Sequence, residues 1–138
     1  MWVSHLVQDL GVSADTVRYY TKQGFLAPKI NKSNGYKEYS EKDRRRLRFI
    51  LSARQLGFSV KDIEAILEKA DKGGTPCPLV RRLIDQRLHE TEKTYREAIL
   101  LRQKMQAAIK EWSAKPDRAP TGKMICQLIE DYEQSESK

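Results

Sequence analysis

Apolar positions recur every three or four residues through most of this chain, and glycines fall where that recurrence breaks. Leu6, Val7 and Leu10 predict a short first helix, opened by Ser4 and turned by Gly11. A second helix is capped by Ser13, whose hydroxyl can accept from an unpaired first-turn amide, and it closes at Gly24, which tolerates left-handed backbone. Within it Val17 faces inward, with Tyr20 or Tyr19 partly so, while Asp15, Thr16, Arg18, Lys22 and Gln23 have nothing apolar to cover. Two short helices around a glycine turn predict a helix-turn-helix whose second member offers a polar face to a groove.

Beyond Phe25, Leu26 and Pro28 the pattern changes. Asn34-Gly35 predicts a two-residue hairpin turn, which needs positive φ at both positions. The hairpin carries Lys29, Lys32 and Lys37 and is flanked by Tyr36 and Tyr39, which makes it a candidate wing. Cations neutralise phosphates, and tyrosine offers a hydroxyl and a flat apolar face. By itself such a hairpin reads as an ordinary surface loop with solvated lysines; beside a capped helix-turn-helix it reads as a DNA contact.

Ser40 with Asp43 forms a reciprocal capping signature ahead of Leu47, Ile50, Leu51 and Ala53, giving a third helix to about Leu56. Arg44, Arg45, Arg46 and Arg48 spread around its circumference, so one or two at most address a single DNA strand and the others are expected to be solvated. Ser59 with Asp62 announces a fourth helix bearing Val60, Ile63, Ile66 and Leu67.

The segment Ala70 to Pro78, with Gly73 and Gly74, is the expected hinge. From Pro78 to about Trp112 there is neither Gly nor Pro, and positions 84, 88, 91, 95, 98, 102, 105, 109 and 112 alternate spacings of four and three. Seven of those nine are apolar (Ile84, Leu88, Tyr95, Ala98, Met105, Ile109 and Trp112), which is a heptad seam. A helix of some 35 residues reaches about 50 Å, and the stretch Met124 to Tyr132 is too short to cover it. A second copy of the chain is therefore expected along the seam, and two heads on one rod imply an inverted-repeat target. The polar residues from about Gln134 to Lys138 are expected to be disordered.

Composition narrows the classes. The chain has 138 residues, 39% hydrophobic and 33% charged, which allows one compact domain or two small ones and no large catalytic scaffold. No apolar run is long enough to span a bilayer and no leader follows Met1, so the expected location is the cytoplasm, with no membrane partner. Of the net charge of +7, residues 1–60 hold eleven Lys and Arg against five Asp and Glu, whereas residues 73–138 hold twelve against ten. The positive field sits on the head, as suits a chain presenting one end to a polyanion. His5 and His89 lie in separate segments, and no nucleophile–base pair or phosphate-cradling glycine loop occurs, so an enzyme is not expected. A coiled-coil adaptor would account for the rod but not for the wing.

The run Thr16-Val17-Arg18-Tyr19-Tyr20, then Lys22-Gln23-Gly24 and Leu26, Asn34-Gly35-Tyr36-Lys37-Glu38-Tyr39-Ser40, and Arg54 with Gly57-Phe58-Ser59, resembles the MerR family of bacterial transcription regulators over roughly the first half of the chain. The resemblance implies a mainly α fold: a winged helix-turn-helix head (1–72), a hinge and long antiparallel coiled-coil dimerisation helix (73–112), and an effector loop with a short C-terminal helix and tail (113–138). It implies DNA contacts at Thr16, Arg18, Tyr19 and Tyr20 on the recognition helix and at Tyr36 and Lys37 in the wing, to which the charge pattern adds Lys22 and Lys32. The family usually has arginine at the place of Lys37; lysine keeps the charge and gives up the bidentate fork. Implied too are a homodimer, double-stranded promoter DNA bent and untwisted in response to an effector, and RNA polymerase as the beneficiary.

Two sulfurs are the candidate sensors. In an antiparallel dimer Cys77, at the start of the long helix, comes near the partner's far end, where Cys126 stands, and metal-responsive members of the family bind ions at that junction. A thiophilic ion of the zinc, cadmium, mercury or lead class is the implied effector. Those members also carry a cysteine where this chain has Trp112 and Ser113, and the loop here is longer and lacks histidine. Two thiolates can hold a linear soft ion, whereas zinc needs two further ligands from Asp117, Glu130, Asp131, His89 or water. Two alternatives stay open: a cross-chain disulfide of Cys77 and Cys126, or buried packing cysteines in a regulator that answers an organic ligand or none.

Overall fold

The computed structural model describes the backbone of residues 1–136 and the side chains of residues 1–132. In chain order the elements are α1 (Val3–Leu10), α2 (Ala14–Lys22), β1 (Lys29–Ile30), β2 (Lys37–Glu38), α3 (Glu41–Gln55), α4 (Val60–Asp71), α5 (Cys77–Trp112) and α6 (Gln127–Glu136). They fall into two compact units, Met1–Glu90 and the chain from Thr91 onward.

The first unit is organised by fully buried Leu6, Val17, Leu47, Ile50 and Ile63, one or more from each of α1 to α4. Each such side chain contributes about 1.5–3 kcal/mol through its removal from water. Phe25, Leu26, Tyr39 and Phe58 close the cluster from the connecting segments. Leu79, Val80, Leu83 and Ile84 of α5 pack against the same core, so the start of the long helix, through Glu90, belongs to this unit.

Local chemistry sets the boundaries. Ser40 Oγ accepts from Asp43 N at 3.1 Å while Asp43 Oδ2 accepts from Ser40 N at 3.0 Å, and Ser59 and Asp62 repeat the exchange at 3.1 and 3.0 Å. Asp43 is almost fully buried, and its other oxygen accepts from Ala27 N at 2.9 Å, so the cap of α3 also ties down the chain after α2. The cap of α1 departs from expectation. Ser4 lies inside the helix, Trp2 is the N-cap, and Trp2 N donates to His5 Nδ1 at 2.9 Å.

β1 and β2 pair antiparallel in the register Lys29↔Glu38 and Ile30↔Lys37. The expected two-residue turn is absent: Gly35 has φ +75°, but among the described residues no non-glycine residue, Asn34 included, has positive φ. Instead Asn31 N donates to Tyr36 O at 2.8 Å, and the Asn31 side chain accepts from Ser33 N and Asn34 N. The asparagine at the loop's start organises six residues where the dipeptide alone suggested two.

In the second unit the far end of α5 and α6 border an open, mainly apolar hollow of about 280 Å³ lined by Leu101, Lys104, Met105, Ala108, Trp112 and Tyr132. α6 carries the backbone through residues 134–136, which were expected to be disordered. Residues 137–138 lie outside the described residues. Among the described residues no helix is long and apolar enough to cross a membrane.

Candidate nucleic-acid interface

Ser13 Oγ accepts from Thr16 N at 3.1 Å and shares a 2.9 Å hydrogen bond with Thr16 Oγ1, so the first turn of α2 is fixed before it meets anything. Arg18, Tyr19 and Lys22 are exposed along the helix and Thr16 is half-buried. Arg18 Nη1 lies 2.9 Å from Asp15 Oδ1, an open surface pair that adds little stability and leaves the guanidinium available. Tyr20 departs from the expectation of a DNA contact. It is 6% exposed and stacks on Phe25 with ring centroids 6.0 Å apart, because burying its ring completes the core while Tyr19, one residue earlier, turns outward at 45%.

The wing presents Lys32, Tyr36 and Lys37, all exposed. Tyr36 is 68% exposed and meets the Trp2 ring edge-on at 6.3 Å and 76°. Between α2 and the wing lies an open cleft of about 600 Å³, with Arg18 on one side, Tyr36 and Lys37 on the other, and Trp2 and Ser4 among its other lining residues. Cations and aromatic rings facing one cleft can neutralise phosphates and pack against sugars. Sequence reasoning missed Trp2 and Asn34 in this lining; the signal for Trp2 was a tryptophan ahead of a helix whose third residue, His5, can take its amide.

The arginines of α3 divide by role. Arg46 donates from Nε to Phe25 O at 2.7 Å and pairs with Asp71 at 2.9 Å, and Arg44 lies 3.4 Å from Glu41 and 3.6 Å from Asp9. Both brace the head, whereas Arg45 and Arg48 are exposed. At the end of α4, the hydrogen bond from Lys72 to Glu68 (2.8 Å), and then their charge attraction, lower the Glu68 carboxyl and raise the Lys72 ammonium from their ordinary values. That pair is solvent-exposed and borders a surface cleft with Gln23 and Gly24 at the end of α2.

Cys77 is exposed at the start of α5 and Cys126 is half-buried before α6. Among the described residues no group of three or more His, Cys, Asp or Glu stands together as a ligand set. Glu130 is engaged, accepting from Ile125 N at 3.1 Å and Cys126 N at 2.9 Å, which caps α6 and leaves this carboxylate a poor candidate for a metal. His89 Nδ1 is 2.9 Å from Asp85 O on its own helix. Two cysteines alone fall short of the four ligands that a tetrahedral zinc site takes.

Along the seam of α5, Leu88, Tyr95, Met105 and Ile109 are 54–68% exposed, while Trp112 is half-buried. Ile84, the seam's first position, is spent on the head's core.

Comparison with known proteins matches these features. The MerR HTH regulatory-protein family matches residues 1–70, and the MerR DNA-binding family matches residues 44–108. The HTH-type transcriptional regulator ZntR of Escherichia coli is 30% identical over 136 residues, covering 98% of this chain and 94% of the relative. The mercuric resistance operon regulatory protein of Pseudomonas fluorescens is 32% identical over 119 residues, covering 86% of this chain and 78% of the relative. Among solved structures, the transcription regulator PbrR691 of Ralstonia metallidurans, in complex with lead(II), superposes with TM-score 0.70 at 20% identity, over 96% of this chain and 98% of that one. With its capped helix-turn-helix, its wing and its long helix, the chain belongs to the MerR family of helix-turn-helix transcription regulators.

Proposed function

We propose that the chain works as a homodimer on an inverted-repeat promoter, contacting double-stranded DNA through Thr16, Arg18, Tyr19 and Lys22 of α2 and Lys32, Tyr36 and Lys37 of the wing. The observation that carries this reading is the cleft with Arg18 on one wall and Tyr36 and Lys37 on the other. The exposed apolar seam of α5 supports the dimer, since large apolar side chains repeating at heptad spacing are stable only when a partner helix covers them. The head, hinge with dimerisation helix, and effector region are assigned to residues 1–72, 73–112 and 113–138. Distortion of the promoter for RNA polymerase is the output.

The input is a thiophilic metal ion held by Cys77 of one chain and Cys126 of the other. Bound there, the ion would cross-link the start of one long helix to the effector loop of its neighbour. A relative that regulates a mercuric resistance operon favours this choice over an organic effector. The test is to select an operator from random-sequence duplexes and titrate salt against binding. A steep linear loss of log affinity with log salt, and a selected inverted repeat, are expected; a flat response would overturn the DNA reading.

A further inference from the structure

The two strands of the wing pair over only two residues each, and Lys29, Ile30, Lys37 and Glu38 are all exposed. A ribbon so short, with no buried face of its own, does not hold a position unaided. Its anchor is the next residue, Tyr39, which lines the floor of the same cleft but is only 3% exposed, so little of it is offered to a ligand. The Tyr39 hydroxyl lies 2.8 Å from Thr21 Oγ1, and Thr21 Oγ1 donates to Val17 O at 2.7 Å. Thr21 has one hydroxyl proton, and Val17 O takes it, so Tyr39 is the donor to Thr21.

We propose that Tyr39 is a positioning residue: through Thr21 it fixes the wing at a set distance from the recognition helix, so that Lys37 and Arg18 meet neighbouring phosphates together. The proposal rests on the reading of α2 and the wing as DNA contacts. Thr21 stands one residue before Lys22 and three after Arg18, and Tyr39 stands two residues after Lys37, so the bond joins the two contact surfaces where each is rooted. The edge contact of Trp2 with Tyr36, and the backbone exchange in which Tyr39 N donates to Met1 O at 2.6 Å and Met1 N to Tyr39 O at 2.8 Å, tie the wing to the chain ahead of α1, whereas the Tyr39 hydroxyl is what reaches α2. Burial of the Tyr39 ring does not need the hydroxyl; its direction does.

The experiment measures binding of the full chain to the selected operator as a function of salt, alongside thermal midpoints. Tyr39→Phe, which keeps the buried ring, should bind about three- to tenfold more weakly, the scale of one hydrogen bond. Its salt slope should be shallower by about 0.9, one phosphate contact, with the midpoint within a few degrees of native. Thr21→Val should do the same, Thr21→Ser should retain native binding, and the double variant Tyr39→Phe/Thr21→Val should be no weaker than either single. Native affinity and slope in both Tyr39→Phe and Thr21→Val would overturn the proposal, as would weaker binding at unchanged slope that merely follows a lowered midpoint. Lys37→Ala separates the two levels. If it too leaves slope and affinity native, the wing is no DNA contact and the interface reading itself fails; if it weakens binding while Tyr39→Phe does not, only the positioning role falls.

Discussion

Arg87 Nε of α5 lies 2.9 Å from Asp62 Oδ2 in the first turn of α4, and Arg87 Nη1 reaches Glu90 at 2.6 Å. The Asp62 side chain is 8% exposed and also accepts from Ser59 N, so one carboxylate both caps α4 and receives the long helix. Removing it leaves the cap amide of Ser59 unpaired and the partly buried Arg87 guanidinium with Glu90 as its remaining partner. Asp62→Ala is expected to lower unfolding stability by about 2–4 kcal/mol, and Arg87→Ala by about 1–3 kcal/mol, in urea denaturation. The pair is the brace between head and long helix if both variants lose stability and the double variant loses less than the sum.

Adjacent tyrosines should separate stability from DNA binding. Tyr20→Ala empties a site in the core and should cost about 3–5 kcal/mol. Tyr19→Ala, at an exposed position, should change stability by less than about 1 kcal/mol and still weaken operator binding. Urea melts and binding titrations of the two variants check this, and equal destabilisation by both would contradict the assignment of faces.

Arg18→Ala should weaken operator binding about tenfold or more, with a shallower salt slope and an unchanged molecular mass in sedimentation. Unchanged binding would remove α2 as the recognition helix.

Gly35 sits at φ +75° with open space around a would-be Cβ, so Gly35→Ala meets no clash and carries only the conformational cost. About 1–2 kcal/mol should be lost, confined to the wing: operator affinity falls while the thermal midpoint of the head moves little. A midpoint drop without loss of binding would show that the loop serves folding instead.

Protein purified under reducing conditions is expected to retain a thiophilic metal in elemental analysis, and Cys77→Ser and Cys126→Ser are each expected to lose it. Retention by Cys77→Ser would take Cys77 out of the sensor; metal-free native protein would favour thiol oxidation or packing.

Local signals in the sequence were enough to place α3 and α4, because a capping exchange such as Ser40 with Asp43 joins residues three apart. Glycine likewise marked the ends of α1 and α2, where Gly11 and Gly24 take positive φ. What the sequence left undecided was set by distant neighbours. Tyr19 and Tyr20 point about 100° apart on one helix, and the core that α1, α3 and α4 bring together decides which is buried. Trp2 gains its place in the cleft from Tyr36, thirty-four residues on. The seam of α5 was readable as spacing, yet its first position, Ile84, packs on the head instead. No periodicity marks the Tyr39–Thr21 bond, since both residues look like ordinary members of their own elements.

The proposed paired heads, inverted repeat and shared cysteines all rest on two copies of the chain joining along α5. Sedimentation equilibrium at micromolar concentration, without DNA, tests this directly. The expected mass is twice the 16.0 kDa of one chain; a species of one chain's mass throughout the concentration range would contradict it.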